Sequence, residues 1–453
     1  MNILDCKQVY FLGIGGIGMS AIARYLNQNG IKVSGYDKVE TPLTRKLESE
    51  GIEIHYEDEP STIPRDLDMV IYTPAIPNDL MELMYLKEEG HRLYKRAEVL
   101  GMISKVKKTI GIAGTHGKTS TSTMLTYLLR ECGIDCTAFL GGISHNYETN
   151  FIAGDSEYVV VEADEYDRSF LHLRPYMAAI MSMDPDHLDI YDHPDVMNQG
   201  YNDYLSLVNS GGLAMINGDF IDQLDQKKLG DKDLKIKTFG EKSSDIIVDN
   251  IRVEEGFYVF DYQGMGKQIE GLQLALPGRH NVQNASVAIS VALELGITPE
   301  SVKRALPGFS GIQRRFDVYR GHEAIVINDY AHHPTELRAA IGAAKEMYPD
   351  QFLTGVFQPH LFTRTRDFAD GFADALCMLD KVILLDIYPA RELPIEGVTS
   401  QMLLDKMDHN DKHLWQNEEL IENLRNNKPE ILMLLGAGDI DDLLEPIKDI
   451  LIN

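Results

Sequence analysis

Apolar residues along the chain fall into short runs separated by longer amphipathic stretches. Between residues 9 and 105 the runs at 9–14, 31–36 and 70–73 predict strands, and the patterns at 19–28 and 80–89 predict helices. Brief buried strands alternating with helices imply a parallel sheet with helical crossovers. A basic stretch poor in apolar residues, Ser104-Lys105-Val106-Lys107-Lys108, then precedes a fresh strand, loop and helix. The first domain boundary is placed there, after residue 107.

The second segment carries strand patterns at 109–113, 158–163, 178–183 and 213–216, then an alternating stretch at 246–276 that reads as antiparallel. A helix at 281–295 closes it. After Pro307-Gly308-Phe309-Ser310-Gly311 the pattern restarts, with strands at 324–328, 352–357, 381–385 and 431–435 and helices between them. The expected fold is therefore α/β in three domains: residues 1–107 Rossmann-like, 108–312 a central ATP-binding sheet with a phosphate loop, and 313–453 Rossmann-like again. A length of 453 residues suits about three domains of ordinary size.

Charge narrows the partners. With 70 acidic against 43 basic residues the net charge is -27, which repels a nucleic-acid backbone, so no nucleic-acid partner is expected. An anionic small molecule remains compatible, because a few N–H groups and cations reverse the field locally. The four cysteines, Cys6, Cys132, Cys136 and Cys377, form no Cys-x-x-Cys pair. Cys132 and Cys136 read as a buried pair on one helix, and sparse thiols suit a reducing cytoplasm. No run of about 18 apolar residues occurs, so membrane insertion is not expected.

Two glycine loops carry the chemistry. Gly13-Ile14-Gly15-Gly16-Ile17-Gly18 follows an apolar strand, opens a helix and is followed, 19 residues after Gly18, by Asp37 at a strand end. Glycines let the backbone approach a diphosphate, and the helix start offers unpaired N–H groups. A nicotinamide or flavin dinucleotide, another diphosphate ligand and plain structural packing all fit this loop.

The second loop, Gly114-Thr115-His116-Gly117-Lys118-Thr119-Ser120, is a variant phosphate loop with Ile112 where the strict pattern has glycine. Its N–H groups can cradle phosphate, Lys118 can reach the β/γ oxygens and the Thr119 hydroxyl can ligate Mg²⁺. At a neighbouring strand end stands Glu162-Ala163-Asp164-Glu165-Tyr166-Asp167, where Glu162 is placed to complete a magnesium site, although a solvated acidic turn is the plainer alternative. Asp184-Pro185-Asp186-His187-Leu188-Asp189 brings His187 to the same edge.

Together with Gly278-Arg279-His280-Asn281-Val282-Gln283-Asn284 and Arg314-Arg315-Phe316, these residues resemble the Mur ligases, ATP-dependent amide-forming enzymes of peptidoglycan synthesis, over essentially the whole chain. The first loop, Asp329-Tyr330-Ala331-His332-His333-Pro334-Thr335-Glu336, and Gln358-Pro359-His360 with Thr363-Arg364-Thr365-Arg366 point within that family to the branch that adds L-alanine to the carboxylate of UDP-N-acetylmuramate. On the residues alone, His280-Asn281 is an ordinary helix N-cap pattern.

The resemblance implies that Gly13, Gly15, Gly16, Ile17, Gly18 and Asp37 hold the UDP-sugar. It assigns ATP to Gly114, Thr115, His116, Gly117, Lys118, Thr119, Ser120, Asn281, Asn284, Arg315 and Asp329, and the amino acid to Tyr330, His332, His360 and Arg364. Magnesium is implied on Thr119, Glu162 and His187, catalysis by Lys118, Glu162 and His187, and the assembly is expected to be a monomer or homodimer in the cytoplasm.

Two departures from the family pattern stand out. Related ligases use a carbamylated lysine some 15 residues beyond the histidine, whereas residues 188–226 contain none. Leu361 stands where the family motif commonly has arginine, which shifts the substrate carboxylate onto Arg364 or Arg366. His332 or His333 is the nearest acceptor for the proton of the incoming ammonium, with substrate orientation by either, or a plain helix-start turn before Pro334, as the alternatives. The rival readings are a recycling ligase that attaches a tripeptide to the same UDP-sugar, and a nucleotide switch that makes no bond.

Overall fold

The computed structural model describes residues 3–184, 194–240, 243–390 and 392–452. Among these residues the strands form four sheets. The first contains β1 (Gln8–Leu12), β2 (Lys32–Tyr36), β3 (Glu53–His55), β4 (Met69–Tyr72) and β5 (Leu93–Lys95), in the order β3-β2-β1-β4-β5. Every pairing in it is parallel, as the alternation of apolar runs and helices requires. Strand order reverses beside β1, and the loop leaving β1 therefore opens at the crevice where doubly wound sheets take their ligands.

The second sheet contains β6 (Lys108–Ala113), β7 (Thr137–Ser144), β8 (Thr149–Ile152), β9 (Tyr158–Ala163), β10 (Pro175–Ile180), β11 (Leu213–Asn217) and β12 (Lys235–Phe239). Its order is β12-β11-β10-β6-β9-β7-β8, with β8 alone antiparallel to its neighbour. β6 lies between β9 and β10, and the registers set Ala113 beside both Ala163 and Ile180. Three strand ends are thus level around one loop.

β10 begins and ends earlier than the pattern at 178–183 suggests, because its pairing with β6 stops at Ile180. Met181–Asp184 are released to wrap the loop after β6. The cysteine reading also needs correction: the helix Lys118–Glu131 ends before Cys136, since Gly133 takes φ +95° and turns the chain. Cys136 is buried, Cys132 is half-buried, and all four thiols are free.

The alternating stretch forms β13 (Ile247–Glu254), β14 (Phe257–Gly264) and β15 (Lys267–Leu274). Two-residue connections join them, with Glu255-Gly256 and Met265-Gly266 all at positive φ, the tight turns that antiparallel hairpins use. The fourth sheet holds β16 (Asp317–Arg320), β17 (Ile325–Asp329), β18 (Leu353–Phe357), β19 (Lys381–Leu384), β20 (Lys412–Leu414) and β21 (Ile431–Leu435), in the order β16-β17-β21-β18-β19-β20. Asp329, Leu435 and Phe357 are in register, so the loops after β17, β18 and β21 leave from one edge.

The chain divides into two compact units, residues 1–248 with 262–270 and 283–306, and residues 249–261, 271–282 and 307–453. Within the first unit, one apolar core runs from Val9 and Phe11 of the first sheet to Val159, Val161 and Ile180 of the second. Arg24, on the helix Ile17–Gln28, ties the two sheets further by donating to Glu50 at 2.7 Å and to Asn150 at 2.7 Å. Among the described residues no helix is long and apolar enough to cross a membrane.

Candidate functional site

At the end of β1 the chain turns through Gly13, whose φ of +81° suits glycine. The N–H groups of Gly13 and Ile14 both donate to the Tyr36 carbonyl, at 2.8 and 3.1 Å, which hooks the loop onto the end of β2. Gly15 N–H donates to Asp37 Oδ2 at 2.7 Å, and a Cβ on Gly15 would stand 2.9 Å from that oxygen. Gly16 precedes the helix Ile17–Gln28, with Gly18 in its first turn. The six residues assigned to the first loop therefore do converge.

Arg96 was not singled out by the sequence pattern. Its side chain packs against Gly18, and its guanidinium lies 3.4 Å from Asp164 of the acidic cluster. On the helix Met81–Glu88 of the same domain, Glu82 is fully buried; it accepts from the Tyr10 hydroxyl and from Glu59 N–H at 3.2 Å, with His55 Nε2 3.5 Å away. Burial is the main cause that lifts the Glu82 carboxyl to about 7, against the opposing pull of those hydrogen bonds.

The second loop is built at closer quarters. Gly114 has φ +127°, and a Cβ there would stand 2.7 Å from the Ser182 nitrogen, so only glycine fits. The released segment after β10 braces the loop: Thr115 N–H donates to the Ser182 carbonyl at 3.2 Å, the Thr115 hydroxyl to the Asp184 carbonyl at 2.8 Å, and His116 N–H to Ser182 Oγ at 2.7 Å. Gly117, at φ +82°, caps the helix Lys118–Glu131 and packs against the Asn284 side chain.

Lys118 Nζ donates to the Gly114 carbonyl at 2.7 Å and to both oxygens of the buried Glu165, at 2.9 and 2.8 Å. Burial acts to lower its pKa, but Glu165, Asp164 and Glu162 outweigh burial and hold it above the ordinary lysine value. The Thr119 hydroxyl donates to Glu162 Oε2 at 2.8 Å. Glu162 also fills the space beside Gly141, where a Cβ would be 2.7 Å from Oε1.

Loop and acidic strand end thus meet as two pairs, Lys118 with Glu165 and Thr119 with Glu162. Glu165 is the member the sequence pattern did not single out; its signal was its place three residues after Glu162, where the strand has ended and the chain turns back. His187 lies outside the described residues. Among the described residues no group of three or more His, Cys, Asp or Glu could hold a metal. An all-oxygen pair such as Thr119 and Glu162 suits magnesium, which keeps waters and phosphate oxygens as its other ligands.

The helix Arg279–Glu294 begins two residues before Asn281, so Asn281 is not its N-cap. Its side chain donates back to the Pro277 carbonyl at 2.6 Å.

In the second unit, Asp329 ends β17 and accepts from Phe316 N–H at 2.8 Å and Ala331 N–H at 2.7 Å, while burial lifts its carboxyl to about 6. Arg314 and Arg315 both lie over the Tyr330 ring, at 4.8 and 5.2 Å. The ring centroids of His332 and His360 are 6.1 Å apart, and Tyr388, another residue missed from the sequence, stacks on His360 at 5.7 Å. Arg364 is buried, whereas Arg366 is exposed and bonded to Asp367 at 2.7 Å. Of the two arginines named for the substrate carboxylate, Arg364 is the one whose charge acts on His332. Leu361 has φ +69° and starts the helix Phe362–Asp367 that carries it.

Residues 8–108 match the Mur ligase family catalytic domain, 112–292 the Mur ligase middle domain and 314–439 the Mur ligase glutamate ligase domain. The UDP-N-acetylmuramate–L-alanine ligase of Porphyromonas gingivalis is 45% identical over 453 residues, covering 98% of this chain and 99% of the relative. That of Cytophaga hutchinsonii is 44% identical, covering 99% and 97%.

Among solved structures, the UDP-N-acetylmuramate–alanine ligase of Thermotoga maritima superposes with a TM-score of 0.80 at 27% identity, covering 98% of both chains. The murein peptide ligase of Psychrobacter arcticus, with a TM-score of 0.72 at 21% identity and coverage of 99% and 100%, shares the fold. With agreement of this kind along its whole length, the chain belongs to the Mur ligase family.

Proposed function

We propose that this protein joins L-alanine to the carboxylate of UDP-N-acetylmuramate, using ATP and releasing ADP and phosphate through an acyl phosphate. The observation that carries the reading is the double pairing at the second loop, which puts a phosphate-seeking lysine and a hydroxyl–carboxylate metal pair on adjacent residues. The names of the relatives from Porphyromonas gingivalis and Cytophaga hutchinsonii, at 45% and 44% identity, support the choice of alanine over a tripeptide. The murein peptide ligase of Psychrobacter arcticus matches at 21% identity, which speaks for fold alone.

A carboxylate is a poor acyl donor because an amine would have to expel an oxide, and phosphorylation supplies the leaving group. In this reading Gly114, Thr115, His116, Gly117 and Ser120 cradle the ATP phosphates, and Lys118 exchanges Glu165 for the β/γ oxygens and neutralises charge on the transferring group. Thr119 and Glu162 hold magnesium, with His187 assigned to a second ion. Magnesium would screen the phosphate oxygens and stabilise the charge that develops during transfer. Asn281, Asn284, Arg315 and Asp329 complete the nucleotide contacts, and Asn284 already packs on the loop.

The first loop, Gly13 to Gly18 with Asp37, takes the diphosphate and ribose of the UDP-sugar. Tyr330, His332, His360 and Arg364 take alanine, the guanidinium on its carboxylate. Boundaries at 107/108 and 312/313, and a cytoplasmic setting supported by four free thiols, belong to the same proposal.

Phosphate release is measured with ATP, magnesium and UDP-N-acetylmuramate in the presence of L-alanine, glycine, L-serine or the tripeptide. Alanine-dependent release is expected. Release only with the tripeptide reverses the choice of amine, and release that ignores every amine favours the nucleotide switch.

A further inference from the structure

The two histidines of His332-His333-Pro334 occupy different environments. His333 is the N-cap of the helix Pro334–Met347; its Nδ1 accepts from Thr335 N–H at 3.3 Å, and its ring packs against Phe368 with centroids 4.8 Å apart. That ring serves the helix start. His332 instead has two oxygens converging on Nδ1: the Tyr330 carbonyl at 3.0 Å and Glu336 Oε2 at 3.3 Å. The same carboxylate accepts from His332 N–H at 3.1 Å, which fixes the turn on which the ring stands.

A carbonyl oxygen can only accept. The Nδ1 atom therefore carries the proton, and the neutral ring has its lone pair on Nε2.

Resting on the alanine-ligase reading, we propose that His332 is the general base that deprotonates the incoming ammonium, with Glu336 as the positioning residue that sets its tautomer. An amino acid held through its carboxylate on Arg364 carries its ammonium on the adjacent carbon. Nε2 takes one proton from that nitrogen, and the nitrogen lone pair then attacks the acyl carbon. The C–O bond to phosphate breaks with its electron pair on the phosphate. The second proton of the attacking nitrogen leaves with it as hydrogen phosphate, and His332 returns its own proton to solvent.

The groups facing the ring are Glu336, Arg315, Arg364, Tyr330 and His360. Burial, with Arg364 and Arg315, lowers the His332 pKa below the ordinary value, while Glu336 opposes them. The ring is thus unprotonated and ready to accept at neutral pH.

The test uses the full chain with ATP, magnesium and UDP-N-acetylmuramate and compares two nucleophiles: L-alanine, which must lose a proton, and hydroxylamine, which is already neutral at pH 7. His332→Asn keeps a donor for the Tyr330 carbonyl and removes Nε2. The ratio of alanine to hydroxylamine turnover is expected to fall about 100-fold in this variant. Its kcat/KM for alanine should rise tenfold per pH unit between about pH 6 and 9, where the native enzyme is flat above about pH 7. Glu336→Gln should lower the same ratio less, by about tenfold.

A native pH profile in His332→Asn, or equal losses with both nucleophiles, overturns the proposal. Native protein inert toward both nucleophiles would instead overturn the ligase reading on which it rests.

Discussion

The two glycine loops of the first unit share a backbone plan and differ in what the next strands bring to them. Each follows a parallel strand near the middle of its sheet and opens a helix, Ile17–Gln28 in one case and Lys118–Glu131 in the other. The first contains no cation; one N–H is taken by Asp37 at 2.7 Å, and the buried carboxylate of a helix packed on its sheet, Glu82 of Met81–Glu88, is met by a tyrosine and a histidine held below its usual pKa by burial. The second contains Lys118, and its buried carboxylate, Glu165, receives that lysine through both oxygens.

Equal burial therefore has opposite consequences. Glu82, without a cation, favours its proton, whereas the ion pair with Glu165 favours the charged form of Lys118. In the proposed function, the first loop recognises a ligand and the second stabilises moving charge.

Three experiments bear on that contrast. Lys118→Ala should have the largest effect, lowering alanine-dependent phosphate release by two decades or more, roughly the weight of one electrostatic contact to a transferring group. UDP-sugar binding, measured by calorimetry, should stay near native. Retention of more than about a tenth of turnover would erase the distinction between the loops.

Asp37→Ala should act on binding, weakening the UDP-sugar about tenfold with kcat little changed, since a loop that serves uniform binding moves KM alone. Tighter binding would mean that the Asp37 carboxylate competes with the diphosphate for Gly15 N–H.

Glu82→Gln should have the smallest effect on turnover; what it changes is stability. A carboxyl whose folded pKa is raised from 4.5 to about 7 costs the folded state progressively as pH rises between those values. The variant should therefore gain about 3 kcal/mol on the native protein from pH 4.5 to 7, and no more above that range. A melting-temperature difference independent of pH would show that Glu82 is not the titrating group.

Much of the fold was legible because parallel strands buried on both faces are continuous apolar runs. β9 and β21 were read to the residue, and β1, β2, β4, β6 and β17 to within one or two. Short edge strands such as β5 and β20 were not, having three residues each and little burial to leave a pattern. The end of β10 was misjudged because Met181 and Met183 are apolar and buried yet belong to the loop brace, where burial comes from the neighbouring loop rather than from strand pairing.

The site divides in the same way. Gly114, Gly117, Lys118 and Thr119 follow from a strand, a loop and a helix start that are contiguous in sequence, so their spacing reads as a phosphate loop, and Glu162 follows from its place at a strand end. Contacts between segments distant in sequence leave no such mark. Glu165 receiving Lys118, Arg96 against Gly18, Tyr388 stacked on His360, and His332 separated from its neighbour His333 all depend on which strand ends are set level by register. The sequence by itself determined the α/β class, the two loops and the family. Only the tertiary structure decided which carboxylate meets which cation and which histidine keeps its lone pair, because pairing and tautomer are set by atoms that the chain brings together only on folding.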